Sequence, residues 1–220
     1  MINDDQLKTL AEQLRCPDGE GGVKLGNQMN ISNLSVILNG IANVHIRDHD
    51  HILELGYGNG GLLGYILSLA DDIRYTGLEV SPTMHQEAIA LNQPYIDAGL
   101  AQYQLYDGTS LPFAPETFDK VLTVNTIYFW QEPLLLLDNI GKVLKKGGYL
   151  CLTFCDKTFM QTLPFIEYGF QLYDAQTVKA LVRDLPLKFI REDCKKDKSI
   201  SKIGTLVDRE FTSLVFEKIA

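Results

Sequence analysis

Along the first 48 residues apolar side chains recur at steps of three and four, as Leu7, Leu10 and Leu14, then Ile31, Leu34, Ile37, Leu38 and Ile41. That period puts them on one face of a helix, and it predicts helices over residues 3–15 and about 29–47 with CPDGEGG between them as a turn. Near Asp50 the pattern changes to short apolar runs alternating with amphipathic stretches. The runs are His51–Leu55, Arg74–Val80, Gln102–Tyr106, Lys120–Val124 and Tyr149–Phe154, and the helical pattern between them is weakest before Lys120. Strands joined in this way imply right-handed crossovers and a parallel sheet covered by helices. The last two runs, Leu187–Asp193 and Leu206–Glu217, are separated only by the polar KKDKSISKIG segment, so they are expected to pair antiparallel. The predicted fold is α/β: seven strands, mostly parallel with the last antiparallel, helices on both faces, residues 1–48 as a small helical cap and residues 49–220 as the core.

The 220 residues carry 20 Lys+Arg against 28 Asp+Glu, a net charge of −8, and 45% hydrophobic residues. The apolar share is that of an ordinary folded domain. The acidic balance opposes attraction to phosphate backbones and anionic lipids, so nucleic acid and membrane are not expected partners. The basic stretch Lys195, Lys196, Lys198 is interrupted by Asp197 and reads as a solvated edge. The start, MINDDQLKTL, lacks a signal-peptide pattern, and no run reaches the roughly 18 apolar residues of a membrane span. A cytoplasmic monomer or homodimer is the expectation. Cys16, Cys151, Cys155 and Cys194 are scattered without metal-ligand spacing, so neither a disulfide framework nor a metal site is expected.

The first strand of the core runs into LELGYGNGG, where Gly56, Gly58, Gly60 and Gly61 line the turn toward a helix near Leu62. Glycine allows positive φ and lets a ligand touch backbone. Gly56, Gly58 and Gly61 also satisfy the GxGxxG fingerprint of dinucleotide-binding folds, so the loop alone leaves two ligands open. Three acids bear on the choice. Glu54, two residues before the first glycine, suits a cationic amino-acid group and would repel a pyrophosphate. Glu79 ends the second strand, where a carboxylate can accept from ribose hydroxyls, a feature common to both ligands. Asp107, after the third strand, can accept from an adenine amine beside the Gly108 amide, or can be an ordinary turn aspartate.

These residues resemble the Rossmann-like class I S-adenosylmethionine-dependent methyltransferases, in the small-molecule branch that includes the type 11 and the ubiquinone and menaquinone methyltransferases. The family's E-x-G-x-G-x-G motif is met by Glu54, Gly56, Gly58 and Gly60, and its second-strand acid by Glu79. Its acid-plus-small pair is met by Asp107 and Gly108, its LPF…FD segment by Leu111–Phe113 with Phe118 and Asp119, and its KKGG turn by Lys145–Gly148. The resemblance implies a bound S-adenosylmethionine. The loop of Gly56, Tyr57, Gly58 and Gly60 would lie with Glu54 around the methionine end, Glu79 on the ribose, Val80 and Met84 against the adenosine, Asp107 and Gly108 on the adenine edge, and Asn125 beneath the methionine.

Within that resemblance the acceptor is expected to be a small, mostly apolar or aromatic molecule. Met29 and Asn30 of the cap, Tyr128 and Trp130 at the mouth, and Tyr168 in the segment after the fifth strand are its candidate contacts. The Asn/Asp-Pro-Pro-aromatic motif of nucleic-acid amine methyltransferases is absent at Asn125–Tyr128, as is the arginine that quinone-type relatives carry soon after the fourth strand. His45, His49, His51 and His85 hold no motif position, so no catalytic residue is named. Methyl transfer from a sulfonium needs chiefly a positioned nucleophile and a dry site. The competing readings are an inactive S-adenosylmethionine-binding protein and a nicotinamide-dependent oxidoreductase.

Overall fold

A computed structural model describes residues 3–219. Strands β1 (His51–Leu55), β2 (Arg74–Glu79), β3 (Ala101–Leu105), β4 (Phe118–Val124) and β5 (Leu144–Cys155) are joined by parallel pairings. The chain then adds β6 (Leu187–Ile200) and β7 (Leu206–Lys218), with β7 antiparallel to both β5 and β6. The sheet order is β3-β2-β1-β4-β5-β7-β6. From β1 the chain builds outward to β3, then returns to the other side of β1 as β4, so a crevice opens at the carboxyl ends of β1 and β4. Both faces of the sheet are covered, which is why β1 is buried along nearly its whole length. On one face lie α3 (Leu34–Val44), α4 (Leu63–Leu67) and α5 (Pro82–Asp97), and on the other α6 (Pro133–Val143) and, after the short α7 (Lys157–Met160), α8 (Ala175–Leu181).

Several features depart from the sequence reading. Helix α1 (Asp4–Arg15) starts with a capping box between Asn3 and Gln6, but CPDGEGG is only partly a turn: α2 begins at Gly19 and runs to Ser32. Its glycines are helix-interior packing residues. A Cβ at Gly22 would strike the Pro17 backbone, and one at Gly26 the Met84 sulfur, so close approach outweighs poor helix propensity. The single helix expected over 29–47 breaks at Asn33. Between β3 and β4 the described chain holds no helix, only a loop opened by an Asx turn at Asp107. The polar segment 194–200 is a continuation of β6 and not a loop. Its charges find partners on β7 (Lys196 with Glu210 at 3.0 Å, Lys198 with Asp208 at 2.8 Å), and the turn proper is only Ser201–Thr205.

Candidate functional site

At the carboxyl ends of β1, β2 and β4 lies a cavity of about 360 Å³. Leaving β1, the backbone still pairs with β2 through the Gly56 amide and the Leu78 carbonyl (2.8 Å), then turns through φ values of 75° at Gly56 and 59° at Gly58. Only glycine takes that left-handed path without cost, and a side chain at Gly56 would run into Thr126. The Glu79 carboxylate fixes the loop from below: Oε2 accepts from the Gly58 amide (3.0 Å), and Oε1 from those of Val80 (2.8 Å) and Ser81 (3.1 Å). Three of its roughly four acceptor positions are thus filled by backbone.

Two buried carboxylates face this cavity. Glu54 accepts from the Tyr75 hydroxyl (2.6 Å), yet burial pushes its pKa up to about 7, against the lowering effect of that bond and with a smaller push from Glu79. Glu79 is also raised, because desolvation outweighs its three amide donors. A positive charge in the cavity would lower both and relieve the penalty on ionising either acid.

Val80, Met84, Asp107, Gly108, Asn125, Tyr57, Met29, Asn30 and Trp130 all line the same cavity, together with Glu54, Gly56, Gly58 and Glu79. Tyr57 stacks edge-on against Tyr103 at 4.6 Å and hydrogen-bonds His85 Nδ1 at 2.7 Å, a positioning contact with no sequence signal. Asp107 is exposed and spends Oδ1 on the amides of Thr109 (2.8 Å) and Ser110 (2.6 Å), which lowers its pKa. Asn125 follows β4 with φ of 57°, a conformation asparagine tolerates better than most residues. Gly60 departs from the set: it lies behind the loop, where a Cβ would press on Asn92 and Tyr103, so it serves packing against α5. The cap contributes more than the sequence reading assigned to it. Arg15 at the end of α1, with Cys16 and Pro17 of the α1–α2 connection, forms part of the wall, and Asn59 ties α2 to the glycine loop through Asn27 (2.8 Å) and Asn30. Residues without a periodic pattern gave no warning of this.

A second, smaller chamber of about 100 Å³ adjoins the first, and Leu14, Met29, Asn33, Asn125 and Phe129 line both. Its own walls include Phe159, Phe165 and Phe170 from the segment after β5, and Lys202 and Arg209 from the hairpin. Tyr128 lines it but is buried, with its hydroxyl accepting from the Cys155 amide (2.6 Å) and facing Asn125 Oδ1 (3.1 Å). Trp130 is likewise buried and donates to Thr126 Oγ1 (3.1 Å). The two are therefore walls and not mouth residues, because both polar tips are satisfied inside. Tyr168 lines neither cavity and lies toward Asp4 and Asp5 of α1.

Residues 53–152 match the family described as "Methyltransferase domain". Among curated proteins, the chain is 33% identical over 138 residues to a demethylmenaquinone methyltransferase of Symbiobacterium thermophilum, covering 60% of this chain and 52% of that one. It is 25% identical over 164 residues to a fatty-acid O-methyltransferase of Mycolicibacterium smegmatis, covering 74% and 56%. The chain thus spans about half the length of these relatives. In fold it is similar to the chain solved in complex with the Haloferax volcanii Trm112 methyltransferase activator, with TM-score 0.75, 18% identity and 98% of each chain covered. No helix among the described residues is long and apolar enough to cross a membrane. The matched residues 53–152 carry the glycine loop, both buried acids and the Asn125 turn, so the likeness to methyltransferases rests on the stretch that builds much of the larger cavity.

Proposed function

We propose that the protein binds S-adenosylmethionine in the larger cavity and transfers its methyl group to a small, mostly apolar or aromatic molecule in the adjoining chamber. The carrying observation is the junction at Asn125 and Phe129: on one side stand two buried carboxylates and glycine backbone, on the other an aromatic chamber. The donor set fits the ligand. Glu54 matches an ammonium, the remaining acceptor position of Glu79 matches a ribose hydroxyl, and the open space above Gly58 admits a group that a Cβ would exclude. S-adenosylmethionine supplies, when bound, an already activated sulfonium methyl. The chain then has to position the acceptor and exclude water: Trp130 and the α1–α2 connection close one side, and Asn125 and Phe129 set where the chambers meet. The fatty-acid and demethylmenaquinone activities of the relatives agree with an apolar acceptor.

Calorimetry with S-adenosylmethionine, S-adenosylhomocysteine and NADH tests the first half, with binding expected for the first two alone. Incubation with radiolabelled S-adenosylmethionine and separate pools of metabolites, RNA and protein tests the second. Label in the metabolites is expected, label only in RNA or protein refutes the acceptor class, and label nowhere indicates cofactor binding without turnover.

A further inference from the structure

In the smaller chamber one charged group stands apart from its neighbours. Lys202, in the turn between β6 and β7, is half-buried in the chamber wall, and its ammonium donates to Ser32 Oγ at the end of α2. Among the described residues it has no carboxylate partner. Arg209, on the same wall, is different: its guanidinium meets Asp197 through two bonds (3.0 and 2.6 Å) and reaches Asn33 Oδ1 (3.1 Å) and Ser35 Oγ (3.1 Å). The groups that face Lys202 are therefore Arg209 from β7, Asp197 from β6 already engaged by that arginine, and the Cys155 thiol of β5, which burial pushes up to about 11 and keeps neutral. Burial, reinforced by Arg209, pulls Lys202 itself down to about 8. An ammonium held without a counter-ion beside aromatic walls is a site that an anion would stabilise.

Granted the methyltransferase reading, we propose that the acceptor carries a carboxylate or comparable acidic group, held by Lys202 at the hairpin end of the chamber. The apolar body lies along Phe129, Phe165 and Phe170, and the atom to be methylated points past Asn125 into the larger cavity. Lys202 lines only the smaller chamber, whereas Asn125 and Phe129 line both. The acidic group is thus a handle, separate from the reacting atom.

The test uses the full chain saturated with S-adenosylhomocysteine and two probes of one shape, 4-phenylbutyrate and its neutral amide, titrated by calorimetry. The acid is expected to bind the parent about tenfold more tightly than the amide. Lys202→Met should erase that preference while leaving amide affinity unchanged, and Lys202→Arg should restore most of it. Should Lys202→Met fail to fold, the parent alone decides: its affinity for the acid, and not for the amide, should fall as pH rises from 7 to 9. Equal or better binding of the amide, a preference that survives in folded Lys202→Met, or no binding of either probe by a chain that holds S-adenosylhomocysteine would overturn the proposal. Failure of the parent to bind S-adenosylhomocysteine would overturn the methyltransferase reading instead.

Discussion

Around the glycine loop the cavity takes its glycine backbone and its two buried acids from one stretch, residues 54–108, with the cap and residues 124–131 closing the rest. Around the smaller chamber the walls are side chains from four stretches, near residues 14–33, 125–129, 155–170 and 199–209, that meet only in the folded chain. The first arrangement depends on φ angles and amide directions, which few substitutions preserve. The second depends on which side chains protrude, so the same scaffold can exchange acceptors while keeping one cofactor. The regions should therefore answer differently to mutation.

The sharpest contrast is between Gly58→Val and Phe165→Leu. The first places a β-branched residue at φ of 59° in the cavity wall. It should reduce S-adenosylmethionine affinity more than about 100-fold in calorimetry and lower stability by about 1–2 kcal/mol. The second should change acceptor choice in a metabolite screen and leave cofactor affinity within about twofold. Equal damage to cofactor binding by both would erase the distinction.

Next in size, Glu79→Ala frees three backbone amides and removes the carboxylate that the proposed site offers to the ribose. Cofactor binding should weaken by about 2–4 kcal/mol, with the fold retained by circular dichroism. Unchanged affinity would mean that the loop is set without Glu79.

Glu54 predicts a pH dependence. Its pKa, raised to about 7, means that the folded chain binds this proton more tightly than the unfolded chain does. The free protein accordingly loses stability as pH climbs from the ordinary glutamate range through 7. A cationic ligand favours the carboxylate, so cofactor affinity should rise several-fold between pH 6 and 8, with proton release visible at pH 6 as a buffer-dependent binding enthalpy. Glu54→Gln should flatten both curves.

The seam between the regions answers to Asn59→Ala, which removes the side-chain bonds tying α2 to the loop. A stability loss of about 1–2 kcal/mol and faster hydrogen exchange in residues 19–32 are expected. Smallest of all, Lys198→Ala on the exposed edge should leave the melting temperature unchanged.

The contrast between regions is also the contrast in what could be read beforehand. The antiparallel hairpin and the strand-end positions of Glu54, Gly58 and Glu79 follow from local patterns, because an apolar run that stops at glycines or an acid marks its own carboxyl end, whereas Asn125 comes from the family resemblance. The start of α2 escaped because glycines carry no hydrophobic period, and their role at Gly22 and Gly26 depends on Pro17 and Met84, one of them more than fifty residues away. Lys202 escaped for a similar reason: a lysine in a polar turn looks solvated until the chain folds it against Ser32 and the phenylalanines. Tyr168 shows the converse, an aromatic in a suggestive stretch that faces elsewhere.

The bonds that fasten the hairpin to the cap, Ser199 to the Ser32 carbonyl and Arg209 to Asn33, join residues 167 and 176 positions apart. On a ribosome adding about 5–20 residues per second, roughly ten to thirty-five seconds separate the emergence of Asn33 from that of Arg209. Through that interval the apolar side of the cap has no hairpin to rest on, and Ile31 stays 80% exposed even at the end. A nascent chain stalled before residue 199 would hold the glycine loop and all five parallel strands, yet lack the hairpin wall of the smaller chamber. Emergence of the hairpin is thereby the step at which the smaller chamber gains its last wall.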